Sequence, residues 1–223
     1  MLLHTVCPFT WAALRALSLC QCPEAANPAA VPPLPGLPWL AAKHQQHHEA
    51  DIRQAILNQL IWQPDDHVLA IGFGAGDALG TLLARAPQGH VAGVERSLER
   101  VTQAARRHQF SIKTGRLELE QAEPEALPYE YARFNKVLVA TDYAHWPNPE
   151  QCLTELQRVL QPGGQIALGL PLKTRARWQR TDKRFNWDEA QEVAGLVRWV
   201  GFEQVKLVST SGANGWACVT ARR

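Results

Sequence analysis

Residues 67–85 read HVLAIGFGAGDALGTLLAR, and this stretch decides the fold. Its first part, 67–72, is a short apolar run that ends in glycine and predicts a buried strand, whereas 77–85 predicts a helix. Gly72, Gly74 and Gly76 lie at the turn between them. Glycines let a ligand approach the backbone closely, and the start of a helix offers free N–H donors. The turn is therefore a candidate site for a polar ligand.

The alternation of strand and helix continues along the chain. Four more strands are predicted at 90–95, 117–122, 135–141 and 165–170. One intervening helix is predicted with a face formed by Leu98, Val101, Ala105 and His108. The last two strands, 203–209 and 215–221, are too close in sequence for a crossover helix, so they are predicted to be antiparallel. The chain is thus predicted to be α/β, with a doubly wound, mostly parallel sheet and an antiparallel last strand.

Composition and charge limit the remaining possibilities. A length of 223 residues with 46% hydrophobic side chains is typical of one domain plus an extension. The segment 23–38, rich in proline and alanine, has the composition of a linker, so residues 1–48 are predicted to be an N-terminal extension and 49–223 the folded domain. A formal net charge of +2 provides no global field for nucleic acid or an anionic membrane.

The N-terminal segment and the cysteines bear on location. The apolar run of 1–22 is interrupted early, by residues such as His4 and Pro8, which argues against a signal peptide. No stretch reaches the eighteen or more consecutive apolar residues that a membrane span needs. The five cysteines form no C-x-x-C pair, which favours a reducing compartment. We therefore expect a cytoplasmic protein without a membrane span.

A group of histidines, His44, His47 and His48, has Glu49 as its one neighbour at ligand spacing. A metal site is one interpretation of this group, and the polar start of a helix is the other. We favour the helix start and predict no metal.

The spacing of the glycines excludes one class of cofactor. A dinucleotide fingerprint requires G-x-G-x-x-G, whereas Asp77 and Leu79 occupy the third glycine position in the two possible registers. Nicotinamide and flavin cofactors are therefore disfavoured. Glu95 ends the second predicted strand, about twenty residues beyond the loop, where a carboxylate can accept both hydroxyls of an adenosine ribose. The loop and Glu95 together indicate an adenosine-containing cofactor.

Five segments carry a resemblance to a known family: VLAIGFGAG at 68–76, GVERS at 93–97, AEPEALPY at 122–129, FNKVLVATDYAHWPNP at 134–149 and LTELQRVLQPGGQIAL at 153–168. In these segments the chain resembles the class I S-adenosylmethionine-dependent methyltransferases, in particular the small enzymes that include the ubiquinone and menaquinone biosynthesis methyltransferases. The resemblance covers about residues 50–223 and implies a Rossmann-like fold. The Pro-Gly-Gly of the last segment suits the end of a helix and a turn into the next strand.

The resemblance implies S-adenosylmethionine as cofactor and a role for each matching residue. Glu95 is implied to hold the ribose hydroxyls, and Thr141 to lie under the cofactor at the end of the fourth strand. Ala122 and Glu123 are implied to face adenine. The methionine and ribose side is implied to be lined by Gly72, Phe73, Gly74 and Gly76.

Three positions depart from the family pattern. Ala70 stands where the family usually has an acid that helps to order the amino-acid end of the cofactor. Pro124 follows Glu123 and lacks the backbone N–H that the adenine segment usually supplies. Asn135 replaces a common acid before the fourth strand, at a position that we expect to be structural.

Methyl transfer from a sulfonium is an in-line displacement, so alignment of the reactants can supply much of the catalysis. His145 is the best-placed candidate base for an acidic acceptor, and it is equally compatible with a packing role. Tyr143 and Trp146 are candidate walls of the acceptor site, or core residues. Residues 173–184 hold six basic side chains; Arg175 and Arg177 could clamp an anionic acceptor, although such a charge run is commonly a solvated loop.

These observations favour a methyltransferase that acts on a small-molecule acceptor. A catalytically weak or inactive descendant, which keeps the fold as a cofactor-binding or regulatory module, is the alternative suggested by Ala70 and Pro124. A polyamine synthase is disfavoured, because Asp142 stands alone where extra acids would be expected. RNA as a substrate is disfavoured by the modest charge and the lack of a separate RNA-binding module.

Overall fold

The computed structural model describes residues 53–140, 142–172, 184–210 and 215–223. Its strands are β1 (His67–Ile71), β2 (His90–Glu95), β3 (Leu117–Gln121), β4 (Phe134–Val139), β5 (Leu160–Pro171), β6 (Glu203–Thr210) and β7 (Trp216–Arg222). Its helices are α1 (Asp77–Arg85), α2 (Leu98–Arg107), α3 (Gln109–Lys113), α4 (Pro149–Val159) and α5 (Trp187–Trp199), with a 3₁₀ helix at Asp142–His145. Residues 53–57 are also helical.

The seven strands form one sheet in the order β3-β2-β1-β4-β5-β7-β6. Strands β1 to β5 pair in parallel, and β7 inserts antiparallel between β5 and β6. The predicted fold class is confirmed, including the antiparallel last strand. The chain runs outward from β1 to β3 and then returns to place β4 on the other side of β1. The carboxyl ends of β1 and β4 therefore flank a topological switch point, where open α/β sheets bind ligands.

Each face of the sheet is covered by its own apolar core, and β1 contributes to both. Leu69 and Ile71 belong to the core that includes α4 and α5, whereas Val68 and Ala70 face the core that includes α1. This alternation follows from the two-residue period of a strand. Because both faces are covered, β1 is almost continuously apolar.

Two local predictions need correction. The face predicted for α2 included Leu98, which is 61% exposed, and omitted Ala104, which is the fully buried residue of this helix. Ala104 belongs to the core that includes α1, and its methyl group packs against Gly76. The strand predicted at 165–170 begins earlier, because Leu160 already pairs with Phe134 before the Pro-Gly-Gly turn. Gly163 in that turn has a φ of +77° and donates its N–H to the carbonyl of Arg223 at 2.8 Å.

A buried ion pair joins β4 to the chain entering β1. Lys136 Nζ lies 3.2 Å from Oδ1 of Asp66, and the two side chains are 9% and 0% exposed. The other oxygen of Asp66 accepts the backbone N–H of Gln63 at 2.7 Å. Nearby, Asn135 Oδ1 accepts the N–H of His67 at 2.9 Å, which is a structural role of the kind expected for this position. These contacts join the amino-terminal ends of β1 and β4, at the end of the sheet opposite the glycine turn.

Within the described segments, no helix is long and apolar enough to cross a membrane. Cys152 and Cys218, the cysteines of these segments, are buried and free.

Gly169 of β5 lies where a methyl group has no room. A Cβ added there would stand 2.2 Å from the carbonyl oxygen of Ala140 and 2.3 Å from Cδ1 of Ile56. We expect Gly169→Ala to lower the free energy of unfolding by about 2 kcal/mol, because the backbone at Ala140, just after β4, must shift to relieve the clash. Urea unfolding of the purified chain checks this value.

Gly195→Ala is the matched control for Gly169→Ala. Gly195 lies within α5, and a Cβ added there meets nothing within 4 Å. Because alanine has the higher helix propensity, we expect this variant to be more stable by roughly 0.5–1 kcal/mol. A Gly169→Ala variant with an unchanged free energy of unfolding would contradict the packing described for β5.

Candidate active site

The glycine turn after β1 curls through three left-handed residues. Gly72, Gly74 and Gly76 have φ angles of +67°, +59° and +88°, a region that favours glycine. The N–H of Gly72 donates to the carbonyl of Val94 at 2.9 Å, which ties the turn to β2. A Cβ added to Gly74 would meet nothing within 4 Å, so there is open space above the middle of the turn. The turn can therefore admit a ligand close to its backbone.

The side chain of Phe73 points into the core and away from this space. It is 7% exposed, and its Cδ1 lies 2.6 Å from where a Cβ of Gly93 would be, so the ring covers a glycine in β2. Phe73 thus anchors the turn from below. Its predicted role toward the cofactor can involve only its backbone.

Glu95 is a buried carboxylate held against the glycine turn. Its side chain accepts the N–H of Gly74 at 3.0 Å through Oε2 and the N–H of Ser97 at 3.3 Å through Oε1. Nη1 of Arg100 lies 3.8 Å from Oε1, and Glu95 is 5% exposed. An ionised carboxylate has about four acceptor positions, so two remain for hydroxyl donors of a ligand. The structure thus brings together the two features that the sequence paired.

The segment after β3 lies on the other side of β2. Ala122 is half-buried against the core, Pro124 is buried, and Glu123 is exposed. Oε2 of Glu123 lies 4.0 Å from Nε of Arg96, the residue that follows Glu95. The predicted adenine-side residues therefore flank the end of β2, next to Glu95.

The opening of the 3₁₀ helix contributes an acid for which the sequence predicted no role. A Cβ added to Gly72 would lie 2.5 Å from Cβ of Asp142, so this side chain stands directly over the glycine turn. Oδ2 of Asp142 accepts the indole N–H of Trp146 at 3.0 Å, and Oδ1 lies 3.5 Å from Nη2 of Arg96. An acid at the carboxyl end of a predicted parallel strand was the signal that could have identified it.

Tyr143 and Trp146 are both 6% exposed and belong to the core, with ring centroids 5.0 Å apart. Tyr143 also contacts the ring of Phe185 at 5.9 Å and lines a cavity of about 530 Å³ between the 3₁₀ helix and α5. Burial, with a smaller contribution from Cys152, raises the pKa of Tyr143 to about 12. Its hydroxyl therefore remains protonated at neutral pH and can act as a hydrogen-bond donor.

His145 has an exposed side chain, and its carbonyl accepts from Nη1 of Arg96 at 3.4 Å. Thr141, Arg175 and Arg177 lie outside the described residues, as do the extension 1–48 and its histidine group. Among the residues that are described, no group of three or more His, Cys, Asp or Glu side chains could hold a metal ion.

An adenosine-containing cofactor fits this arrangement. The open space above Gly74 and the buried carboxylate of Glu95 are adjacent, since one N–H···O bond joins them. The sheet order places both at the carboxyl ends of β1 and β2. The fold and the site thus define a Rossmann-like domain with a buried acid held against a glycine turn.

Comparison with known proteins agrees with this class. Residues 68–164 match the model of a family described as a methyltransferase domain. An uncharacterized methyltransferase of Bacillus subtilis, YdaC, is 27% identical over 70% of this chain and 82% of its own length. The demethylmenaquinone methyltransferase of Deinococcus radiodurans is 32% identical over 52% of this chain and 47% of its own length. The chain thus spans about half the length of that quinone relative.

A solved structure shows the same fold. The S-adenosylmethionine-dependent methyltransferase of Aquifex aeolicus superposes with a TM-score of 0.64 and 19% identity, covering 76% of this chain and 88% of its own. Residues 68–164 thus match a methyltransferase domain, the fold is that of S-adenosylmethionine-dependent methyltransferases, and these similarities support S-adenosylmethionine as the cofactor.

Proposed function

We propose that the chain transfers a methyl group from S-adenosylmethionine to a small-molecule acceptor. The observation that carries the proposal is the buried carboxylate of Glu95, held by the N–H of Gly74 at the edge of an open glycine turn. Two acceptor positions of this carboxylate are available for the ribose hydroxyls. Ala122 and Glu123 flank the adenine side, and the backbone of residues 72–76 faces the rest of the cofactor.

When bound, S-adenosylmethionine supplies an electrophilic methyl group on a sulfonium. The chain's own contribution is to fix the cofactor at Glu95 and to hold the acceptor in line with that methyl group. Tyr143 lies beside Asp142, the residue over Gly72, and so connects the cofactor site to the cavity near α5. Its protonated hydroxyl can donate a hydrogen bond to an acceptor. His145 is the candidate base, and its side chain is exposed to solvent.

The cavity beside Tyr143 is proposed as the acceptor site. A volume of about 530 Å³ suits a ligand of metabolite size. Phe185, Val193 and Leu196 give it an apolar wall, and its polar lining comes from Arg184, Glu189 and Glu192. A partly apolar acceptor with a polar group fits this lining. The Deinococcus relative is described as acting on demethylmenaquinone, which makes quinones the first acceptor class to assay.

Titration calorimetry with S-adenosylhomocysteine tests cofactor binding, and transfer of a labelled methyl group to quinones, phenols and carboxylates tests activity. We expect saturable cofactor binding and labelled product from at least one acceptor class. No detectable binding at millimolar cofactor would overturn the proposal.

A second candidate is a cofactor-binding or regulatory module without turnover. It is favoured by Ala70, which places a methyl group in the core where the family usually has an acid, and by Pro124, which lacks an N–H donor. Cofactor binding without transfer to any acceptor would support this candidate, and any labelled product would exclude it.

A further inference from the structure

Strand β1 supplies no carboxylate to the cofactor site. Ala70 is 3% exposed and belongs to the same apolar core as Ile56 and Leu57. The amino-acid end of S-adenosylmethionine carries an ammonium group, which needs a negative partner or water once it is bound. A partner must therefore come from another element of the chain.

The carboxylate of Asp142 stands over the start of the glycine turn. Its Cβ and Cγ lie 2.5 and 2.7 Å from where a Cβ of Gly72 would be, so this close approach requires glycine at position 72. Gly72 and Asp142 follow β1 and β4, the two strands that flank the switch point of the sheet. A ligand whose ribose is held at Glu95, with its base toward β3, extends its other end toward these two residues.

The hydrogen bond from Trp146 fixes the orientation of Asp142, and the ion pair of Asp142 with Arg96 is long. Oδ2 accepts the indole N–H of Trp146 at 3.0 Å, which leaves Oδ1 directed to Arg96 at 3.5 Å. The side chain of Asp142 is 17% exposed, so it is accessible from solvent. Arg96 has other partners, Oε2 of Glu123 at 4.0 Å and the carbonyl of His145 at 3.4 Å. An ammonium at hydrogen-bond distance can therefore replace Arg96 at Oδ1, because a short charge-assisted bond is stronger than a solvated pair.

We infer that the carboxylate of Asp142 is the counter-charge for the ammonium group of the cofactor. It takes the place of the acid that is missing at position 70, where this chain has alanine. This inference rests on the proposed function. It assigns a binding residue to the amino-acid end of the site, with Trp146 as the residue that positions it.

Calorimetry with two ligands tests the inference. S-adenosylhomocysteine carries the ammonium group, whereas methylthioadenosine has the same adenosine and thioether without the amino-acid end. We expect Asp142→Asn to weaken S-adenosylhomocysteine binding about tenfold, as for loss of one charge-assisted hydrogen bond, and to leave methylthioadenosine binding unchanged.

Asp77→Asn is the matched control, since it removes one negative charge from the start of α1. Asp77 is paired with Arg107, and its side chain is 53% exposed. We expect this variant to bind both ligands like the unmodified chain. The unmodified chain gives a second measurement that needs no variant to fold: an S-adenosylhomocysteine analogue with hydrogen in place of the ammonium should bind about tenfold more weakly.

The outcomes distinguish a failure of the proposed function from a failure of the role inferred for Asp142. If the unmodified chain does not bind S-adenosylhomocysteine, the proposed function fails and the inference fails with it. If the unmodified chain binds but Asp142→Asn binds equally well, only the inference is overturned. An equal loss for both ligands would also overturn it, because Asp142 would then act through the shape of the glycine turn.

Discussion

Replacing Glu95 with glutamine is expected to lower the affinity for S-adenosylhomocysteine roughly a hundredfold. The two hydrogen bonds that the ribose hydroxyls donate to the charged carboxylate would be lost, at about 1.5 kcal/mol each. Glutamine keeps the shape of the side chain but loses its charge. Its amide group also cannot accept the N–H bonds of both Gly74 and Ser97, which Glu95 accepts through separate oxygens. Calorimetry measures the affinity, and thermal unfolding shows whether the variant remains folded.

Glu120→Gln is the control for this change, because Glu120 is exposed on β3, the strand beside β2. We expect it to bind S-adenosylhomocysteine normally. A Glu95→Gln variant that binds the cofactor with unchanged affinity would remove the ribose role from Glu95. A variant that loses stability without losing affinity would assign Glu95 to the turn alone.

Replacing Asp66 with alanine is expected to lower the free energy of unfolding by about 3–5 kcal/mol, because it leaves the charge of Lys136 buried without its carboxylate. Within the described part of the chain, the partner that Lys136 Nζ then keeps is the carbonyl of Asn135, at 3.5 Å. The N–H of Gln63 also loses its acceptor. Urea unfolding measures the change, and the cofactor site at the opposite edge of the sheet should retain its affinity in the folded fraction.

The double variant Asp66→Ala/Lys136→Met separates the ion pair from simple loss of packing. Removing both charges is expected to recover a large part of the stability, since a buried pair can often be replaced by apolar groups at little cost. If the double variant is as unstable as Asp66→Ala, the cost arises from the cavity and the lost Gln63 bond.

The fold could be predicted from the sequence because its signals are local. The apolar run before Gly72 and the short link between the last two strands determine the strand directions without knowledge of distant contacts. The orientation of α2 could not be derived in this way, because Leu98 and Ala104 are both apolar. The structure shows that the smaller residue is the buried one and that it packs against Gly76.

Some residues of the candidate site could likewise be predicted from local sequence, and others could not. Glu95 could be paired with the glycine turn because both lie at ends of adjacent strands, and the hydrogen bond to Gly74 agrees with that pairing. The position of Asp142 depends on a contact across 70 residues of sequence, with Gly72, which no local pattern encodes. Phe73 shows the converse case, because a residue inside a binding motif directs its side chain into the core.

Because β7 is last in the sequence but lies between β5 and β6, the sheet can be completed only after β7 has been synthesised. Among the described strands, β6 pairs with β7, and β7 also completes the far side of β5. During synthesis, residues 203–210 therefore emerge before the strand that will hold them, and β5 presents an unpaired edge until residues 216–222 follow. Such edges can pair with other chains. We conclude that a released chain ending before residue 216 would have its first five strands able to pair, whereas β6 and the open side of β5 would lack the strand that joins them.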